Sequence, residues 1–162
     1  MSTPSREAAP LLALGMNAAP FNRPKRDVVR RTMLAHDAVR SGRIVFRFVI
    51  GTLLIPSRKK SQSPSQLLAV SPEARWAVDQ TALAKEIADL QDIMRLDAID
   101  GPGVAMECPA AEKTIQWMRL AIRTWPGAMF YGKTEDDTYV SIGSLEQELV
   151  RLAAQRLPNV LY

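Results

Sequence analysis

Apolar runs and breakers alternate along the chain in an order that predicts strands separated by helices. Residues 11–16, LLALGM, form a short continuous apolar run closed by NAAPFNRP, which predicts a buried strand followed by a loop. From Pro24 to Arg40 the apolar positions Val28, Val29, Met33, Ala35 and Val39 recur near helical spacing among basic residues, predicting one helix that Ser41 and Gly42 stop. RIVFRFVIG comes next, β-branched and aromatic, and suits a second strand. Between Pro56 and Pro72 the chain is rich in Ser, Gln and Lys without an apolar period, so a surface loop or flexible insertion is expected over about residues 56–79.

The pattern then resumes. Leu83, Ile87, Leu90 and Met94 mark an amphipathic helix that runs toward a strand near DIM, and Gly101, Pro102 and Gly103 break the pattern after it. A helix from about Ala110 to Thr124 is expected to turn Ile115, Met118, Ala121 and Ile122 inward. AMFYGKTEDDTYVSIG reads as strand, acidic turn and short strand, and a last helix runs from about Ser144, with Gln147 completing a capping box, to Gln155. Such alternation implies an α/β fold, a mostly parallel sheet flanked by helices. Sheets of this kind hold ligands in the crevice beyond the carboxyl ends of their strands.

Composition fits one domain: 162 residues, 47% hydrophobic and 23% charged. The single cysteine, Cys108, excludes an internal disulfide framework. The longest apolar stretch, Ile44–Ile55, is interrupted by Arg47, Gly51 and Thr52 and falls short of the roughly 18 residues a membrane span needs. Neither a signal peptide nor an anchor is expected, because Pro10 breaks the apolar stretch at residues 8–16 and Glu7 precedes it. Charge is polarised: up to Lys60 there are 12 Lys and Arg against 3 Asp and Glu, and beyond it 9 against 14. A basic part beside an acidic part suits a polarised ligand such as a phosphate clamped with a divalent cation. Nucleic-acid binding would call for aromatics among the basic residues, and only Phe46 and Phe48 stand there, so no nucleic-acid partner is expected.

Glu135, Asp136 and Asp137 lie directly after the apolar run AMFYG, at the carboxyl end of a predicted buried strand. Adjacent carboxylates repel one another unless a cation shares them, and an oxygen-only set suits magnesium or manganese. In an extended turn Glu135 and Asp137 point to one side and Asp136 to the other. An acidic triplet is also ordinary solvated surface, and Lys133 is a salt-bridge partner for it. His36 is expected on the surface of the first helix, and Trp117 and Trp125 in the core.

FYGKTEDDTYVSIGSLEQEL resembles the metal-binding segment of the β-1,3-galactosyltransferase family, glycosyltransferase family thirty-one, with its K-T-D/E-D-D-x-[FY]-V and the helix after it. Four further blocks resemble the family in order. Arg26, Arg30 and Thr32 match R-x-x-x-R-x-T-W, and RFVIG matches the second strand. Glu86 to Asp97, with Asp100 after it, matches E-x5-D-I-x3-D-F-x-D, and Lys113, Thr114 and Trp117 match K-T and W of the next helix. Met33 stands where the family has Trp, Ala98 where it has Phe, and the family's Asn-Leu-Thr before Lys113 is missing.

The resemblance implies a GT-A-like nucleotide-sugar transferase fold, here as a partial catalytic domain over residues 1–162 that lacks the acceptor half and the catalytic base. It implies transfer of a hexose or N-acetylhexosamine from a UDP-sugar to a hydroxyl of a glycan or glycoprotein acceptor, with inversion. It also implies Mn2+ or Mg2+ at Asp137 with Glu135 and Asp136, and nucleotide-sugar contacts from Arg26, Arg30, Asp97, Asp100 and Lys113. Family members reside in the Golgi membrane through an anchor that is not seen in this sequence. The alternative is a donor-binding or interaction module without transferase activity.

Overall fold

The computed structural model describes residues 9–53, 72–100 and 109–155, in the order β1 (Leu12–Asn17), α1 (Arg23–Thr32), α2 (Asp37–Arg40), β2 (Ile44–Leu53), α3 (Pro72–Leu90), β3 (Ile93–Ile99), α4 (Pro109–Thr124), β4 (Phe130–Glu135) and α5 (Ile142–Ala154). The four strands form one sheet in the order β3-β2-β1-β4, and every pair is parallel. The α/β fold class expected from the alternation is therefore the one observed. Cys108, the segment 101–108 and most of the expected insertion lie outside the described residues, but α3 begins at Pro72, so positions 72–79 are helical rather than loop.

Period-two alternation feeds a core on each face of the sheet. Leu12, Leu14 and Met16 of β1, with Ile44, Phe46, Phe48 and Ile50 of β2, meet Val29 and Met33, Leu83 of α3, and Ile142, Leu149 and Leu152 of α5. On the other face Ala13, Val49, Leu96 and Ala98 meet Trp117 and Ala121 of α4. Small residues on β1 make room there: a Cβ on Gly15 would stand 2.4 Å from the Trp117 ring, whose Nε1 donates to Gly132 O at 2.8 Å.

Local details depart from the sequence expectation for identifiable reasons. The single helix over 24–40 is two, because the chain turns after Met33 and His36 Nδ1 accepts from Ala38 N at 3.2 Å; His36 caps α2 instead of riding on one long helix. Val28 is exposed. In α4 the buried stripe is Lys113, Trp117 and Ala121, which leaves Ile115 and Ile122 half exposed. Among the described residues no strand comes after the acidic turn, and α5 starts at Ile142 with Ser141, not Ser144, at its N-cap.

Candidate functional site

Strand order places a crevice. The chain winds outward from β1 through β2 to β3, then crosses to lay β4 on the other side of β1, so winding reverses between β1 and β4. Ligand crevices of open parallel sheets open at such reversals, beyond the carboxyl ends of the strands. Register brings the last residues of these two strands side by side, Asn17 against Glu135. Asn17 is buried, and its Nδ2 donates to Glu135 Oε1 at 3.1 Å and to Thr114 Oγ1 at 3.4 Å. Glu135 Oε1 also accepts from Lys133 Nζ at 2.7 Å.

The next carboxylate is held by α1. Asn22 is the N-cap residue of that helix, yet its side chain makes no capping bond; it reaches across and donates to Asp136 Oδ2 at 2.6 Å. Lys25 Nζ donates to Asp136 Oδ1 at 3.1 Å. Asp137 is exposed and accepts a long contact, 3.3 Å, from its neighbour Thr138. The three carboxylates thus differ: two are oriented by asparagines and lysines, and one faces outward.

No three His, Cys, Asp or Glu side chains converge on a cation-sized point among the described residues. The turn is not a closed metal cage. It offers oxygen donors only, with Asp137 available, a donor set that fits a hard cation such as magnesium whose other positions are filled by phosphate oxygens and water. Asn17 and Lys133 both bond Glu135 through Oε1, which anchors that carboxylate beside the turn.

Two buried cations brace the loop between β1 and α1 from opposite faces of the sheet. Lys113 Nζ on α4 donates to Ala18 O at 3.1 Å, while Arg26 on α1 donates from Nη1 to Ala19 O at 2.6 Å and from Nη2 to Pro20 O at 3.1 Å. Three successive carbonyls are therefore each fixed by a charged donor. Each cation has its own carboxylate: Arg26 forks onto Glu86 at 2.9 and 2.6 Å, and Lys113 meets Asp100 Oδ2 at 3.2 Å, an oxygen that also accepts from Gly51 N at 2.9 Å. Burial pushes the Asp100 carboxyl above its usual range, outweighing the lowering by Lys113 and Gly51 N–H. Burial would also raise Glu86, but hydrogen bonds from Arg26 and Arg30 hold it below the ordinary carboxylate value.

Arg30 extends this network. Its guanidinium forks onto Asp92 at 2.7 and 2.9 Å, reaches Asp27 at 2.7 Å and Glu86 at 2.7 Å, and lies 5.0 Å from the Phe48 ring centroid. Burial alone would lower its pKa, but its bonds to Asp92, Glu86 and Asp27 raise it instead, so it stays charged at any working pH.

These positions change the roles of the expected nucleotide-sugar contacts. Arg26 has no exposed surface, and its donors serve Glu86 and two carbonyls, so it braces the loop instead of touching a ligand. Arg30 is mostly covered and saturated by three carboxylates. Asp100 and Lys113 are buried together, and Asp97 lies exposed on the edge strand β3, apart from the acidic turn's hydrogen bonds. The motif residues Arg26 and Arg30 are partners of the motif residues Glu86 and Asp92, a relation across about sixty positions that spacing does not reveal. Asn22 and Lys25 do not stand out in the sequence as site residues; Asn22 at a helix start carries a signal, but its target lies 114 positions away.

Comparison with known proteins bears on this site. The family model for galactosyltransferases matches residues 74–162, which include Asp97, Asp100, Lys113, the acidic turn and most of α3. The chain is 32% identical over 146 residues to "Probable beta-1,3-galactosyltransferase 4" of Arabidopsis thaliana and 31% identical over 146 residues to "Probable beta-1,3-galactosyltransferase 3" of the same plant. Each alignment covers 87% of this chain and 30% of the relative, so the chain spans under a third of their length.

Proposed function

The chain belongs to the galactosyltransferase family, and from that premise we propose that its carboxyl-edge crevice is the donor half of a hexosyltransferase site. The donor is a UDP-sugar carrying a hexose or N-acetylhexosamine, and the acceptor is a hydroxyl of a glycan or glycoprotein. The observation that carries this reading is the acidic turn at the β1–β4 reversal, with Asp136 and Glu135 oriented from β1 and α1 and Asp137 facing out. Asp137 would hold a Mn2+ or Mg2+ ion, with Glu135 and Asp136 beside it. When bound, that ion supplies charge neutralisation for the departing diphosphate.

The protein's own residues supply placement. Asn17 fixes Glu135, and Asn22 with Lys25 fixes Asp136, so the turn presents Asp137 from a braced backbone. Lys113 and Arg26 keep the 18–20 loop at its height above the sheet edge. The base that takes the acceptor proton in an inverting transfer is assigned to none of the described residues. A Golgi membrane setting is part of this reading; no described helix is long and apolar enough to cross a membrane.

A second reading is donor binding without transfer, favoured by the bonding of Glu135 and Asp136 to Asn17, Lys133, Asn22 and Lys25, which makes these carboxylates holders rather than free bases. Calorimetric titration with UDP, with and without manganese, tests the shared part of both. Binding that requires manganese and disappears in Asp137→Ala is expected; binding indifferent to both would overturn the donor-site assignment. Product formed from a UDP-hexose and an acceptor then separates transferase from binding module.

A further inference from the structure

Helix α4 carries two apolar stripes, and the sheet uses only one of them. Lys113, Trp117 and Ala121 are buried toward the strands, which are the helix's main packing partners among the described residues. The second stripe is Ala111, Ile115, Met118 and Ile122, at steps of four, three and four, the spacing of a seam between paired helices. Ala111 is exposed, Ile115 and Ile122 are 53% and 51% exposed, and Met118 between them is half-buried. Single apolar residues are ordinary on a surface, but a row of them along one side of a helix marks a contact face. One flank of this row is charged, with Glu112 in the first turn and the exposed Arg119 and Arg123 toward the end.

We propose that this face joins two copies of the chain as an antiparallel pair of α4 helices around a two-fold axis at Met118. Two-fold symmetry makes each contact reciprocal. With the axis there, Met118 meets Met118 of the second copy, Ile115 meets Ile122, and Glu112 meets Arg123, the last two contacts each occurring twice. Charge decides the direction. Antiparallel pairing sets the acidic start of one flank against the basic end of the other, whereas parallel pairing would oppose Glu112 to Glu112 and Arg123 to Arg123. Glu112 also has a partner within its own chain, and a carboxylate has acceptor sites for both. Antiparallel axes bring opposite ends of the helix dipoles together as well. An unrelated partner has no reason to match the stripe's own order of charge, so the occupant is a second copy.

Size sets the strength. The helix has 16 residues, so one helix pair falls below the roughly 1,200 Å² at which standard protein interfaces begin. A Kd on the order of 10 µM is expected. The pairing is independent of the donor-site reading, since none of its residues belongs to the acidic turn or to the loop at 18–20.

Sedimentation equilibrium of the full chain from about 1 to 200 µM tests it, in wild type, Ile122→Asp, Arg123→Glu, Glu112→Arg and the double charge swap. Wild type is expected to pass from the mass of one chain to that of two. Ile122→Asp, at an exposed position that the fold tolerates, should weaken association roughly twentyfold with an unchanged circular dichroism spectrum. Arg123→Glu and Glu112→Arg should each weaken it about fivefold at low salt, and the double swap should restore it to within about twofold of wild type. Wild type that stays a monomer at the top of the range overturns the proposal, and so does a dimer that folded Ile122→Asp leaves intact. Association strengthened by Arg123→Glu, or a double swap no better than the single changes, would overturn the antiparallel register.

Discussion

Replacing Glu86 by alanine is the sharpest probe of the bracket behind the acidic turn. Glu86 is 1% exposed and accepts three guanidinium bonds, at 2.9 and 2.6 Å from Arg26 and at 2.7 Å from Arg30. Its loss strands Arg26, which has no exposed surface and keeps only two carbonyl partners, neither of them a counter-charge. Arg30 retains Asp92 and Asp27, so the cost concentrates on Arg26. An uncompensated buried charge of this kind costs about 3–5 kcal/mol. At roughly 2–4 °C per kcal/mol for a domain of this size, the melting temperature should fall by about 10 °C. Arg26→Met alone should also be harmful, because it takes the Arg26 donor from Pro20 O at a cost of about 1–3 kcal/mol, leaves Ala19 O with Asn22 N alone, and leaves Glu86 paired only with Arg30. Arg26→Met combined with Glu86→Ala should cost less than the two single changes together, by about 2 kcal/mol, since both charges leave at once. Urea denaturation followed by tryptophan fluorescence, with the buried Trp117 as a reporter, measures all four proteins. A Glu86→Ala cost below about 1 kcal/mol would refute the reasoning, because it would mean that Arg26 keeps its solvation without the carboxylate.

The same network predicts an acid limb of stability. Glu86 has its folded pKa below the unfolded value, so its contribution is complete above about pH 4.3, the unfolded carboxylate value, and is lost as pH falls through the lower folded pKa. Glu86→Gln should flatten that limb in a stability–pH series; a limb unchanged in the variant would assign it elsewhere. Asp100 carries the opposite sign, because its raised folded pKa favours the fold at low pH and that contribution fades as pH rises through it. Asp100→Asn should therefore steepen the net acid loss, read in the same series. Gly15→Ala should destabilise by about 1–3 kcal/mol, since its Cβ lands 2.4 Å from the Trp117 ring in a packed core; a neutral effect in denaturant would contradict the observed seating of Trp117 on β1.

Much of the framework is legible in the pattern of residues. Leu12, Leu14 and Met16 on one face of β1 and Ala13 and Gly15 on the other make the strand readable, and the alternation of strands with helices makes the sheet parallel. The inner face of α4 is not, because Ile115 and Ile122 outweigh a lysine on any hydrophobicity count, whereas Lys113 is buried to hold Ala18 O and Asp100. Arg26 and Arg30 look like ligand-binding cations because nothing local reveals carboxylates sixty residues downstream. A clue does exist: Glu86 lies three positions after Leu83 and one before Ile87, on the buried stripe of α3, where a lone carboxylate requires a cation. The differing roles of Glu135, Asp136 and Asp137 depend on Asn17 and Asn22, which reach the turn only through the β1–β4 pairing.

The central claim, that the crevice at the β1–β4 reversal is a nucleotide-sugar site, is tested most directly by paramagnetic broadening of backbone amides on adding manganese with UDP. The account predicts broadening centred on Glu135–Tyr139 and on Asn17–Lys25, dependent on UDP and lost in Asp137→Ala. Broadening centred away from both segments, or broadening at them that persists without Asp137, would contradict it.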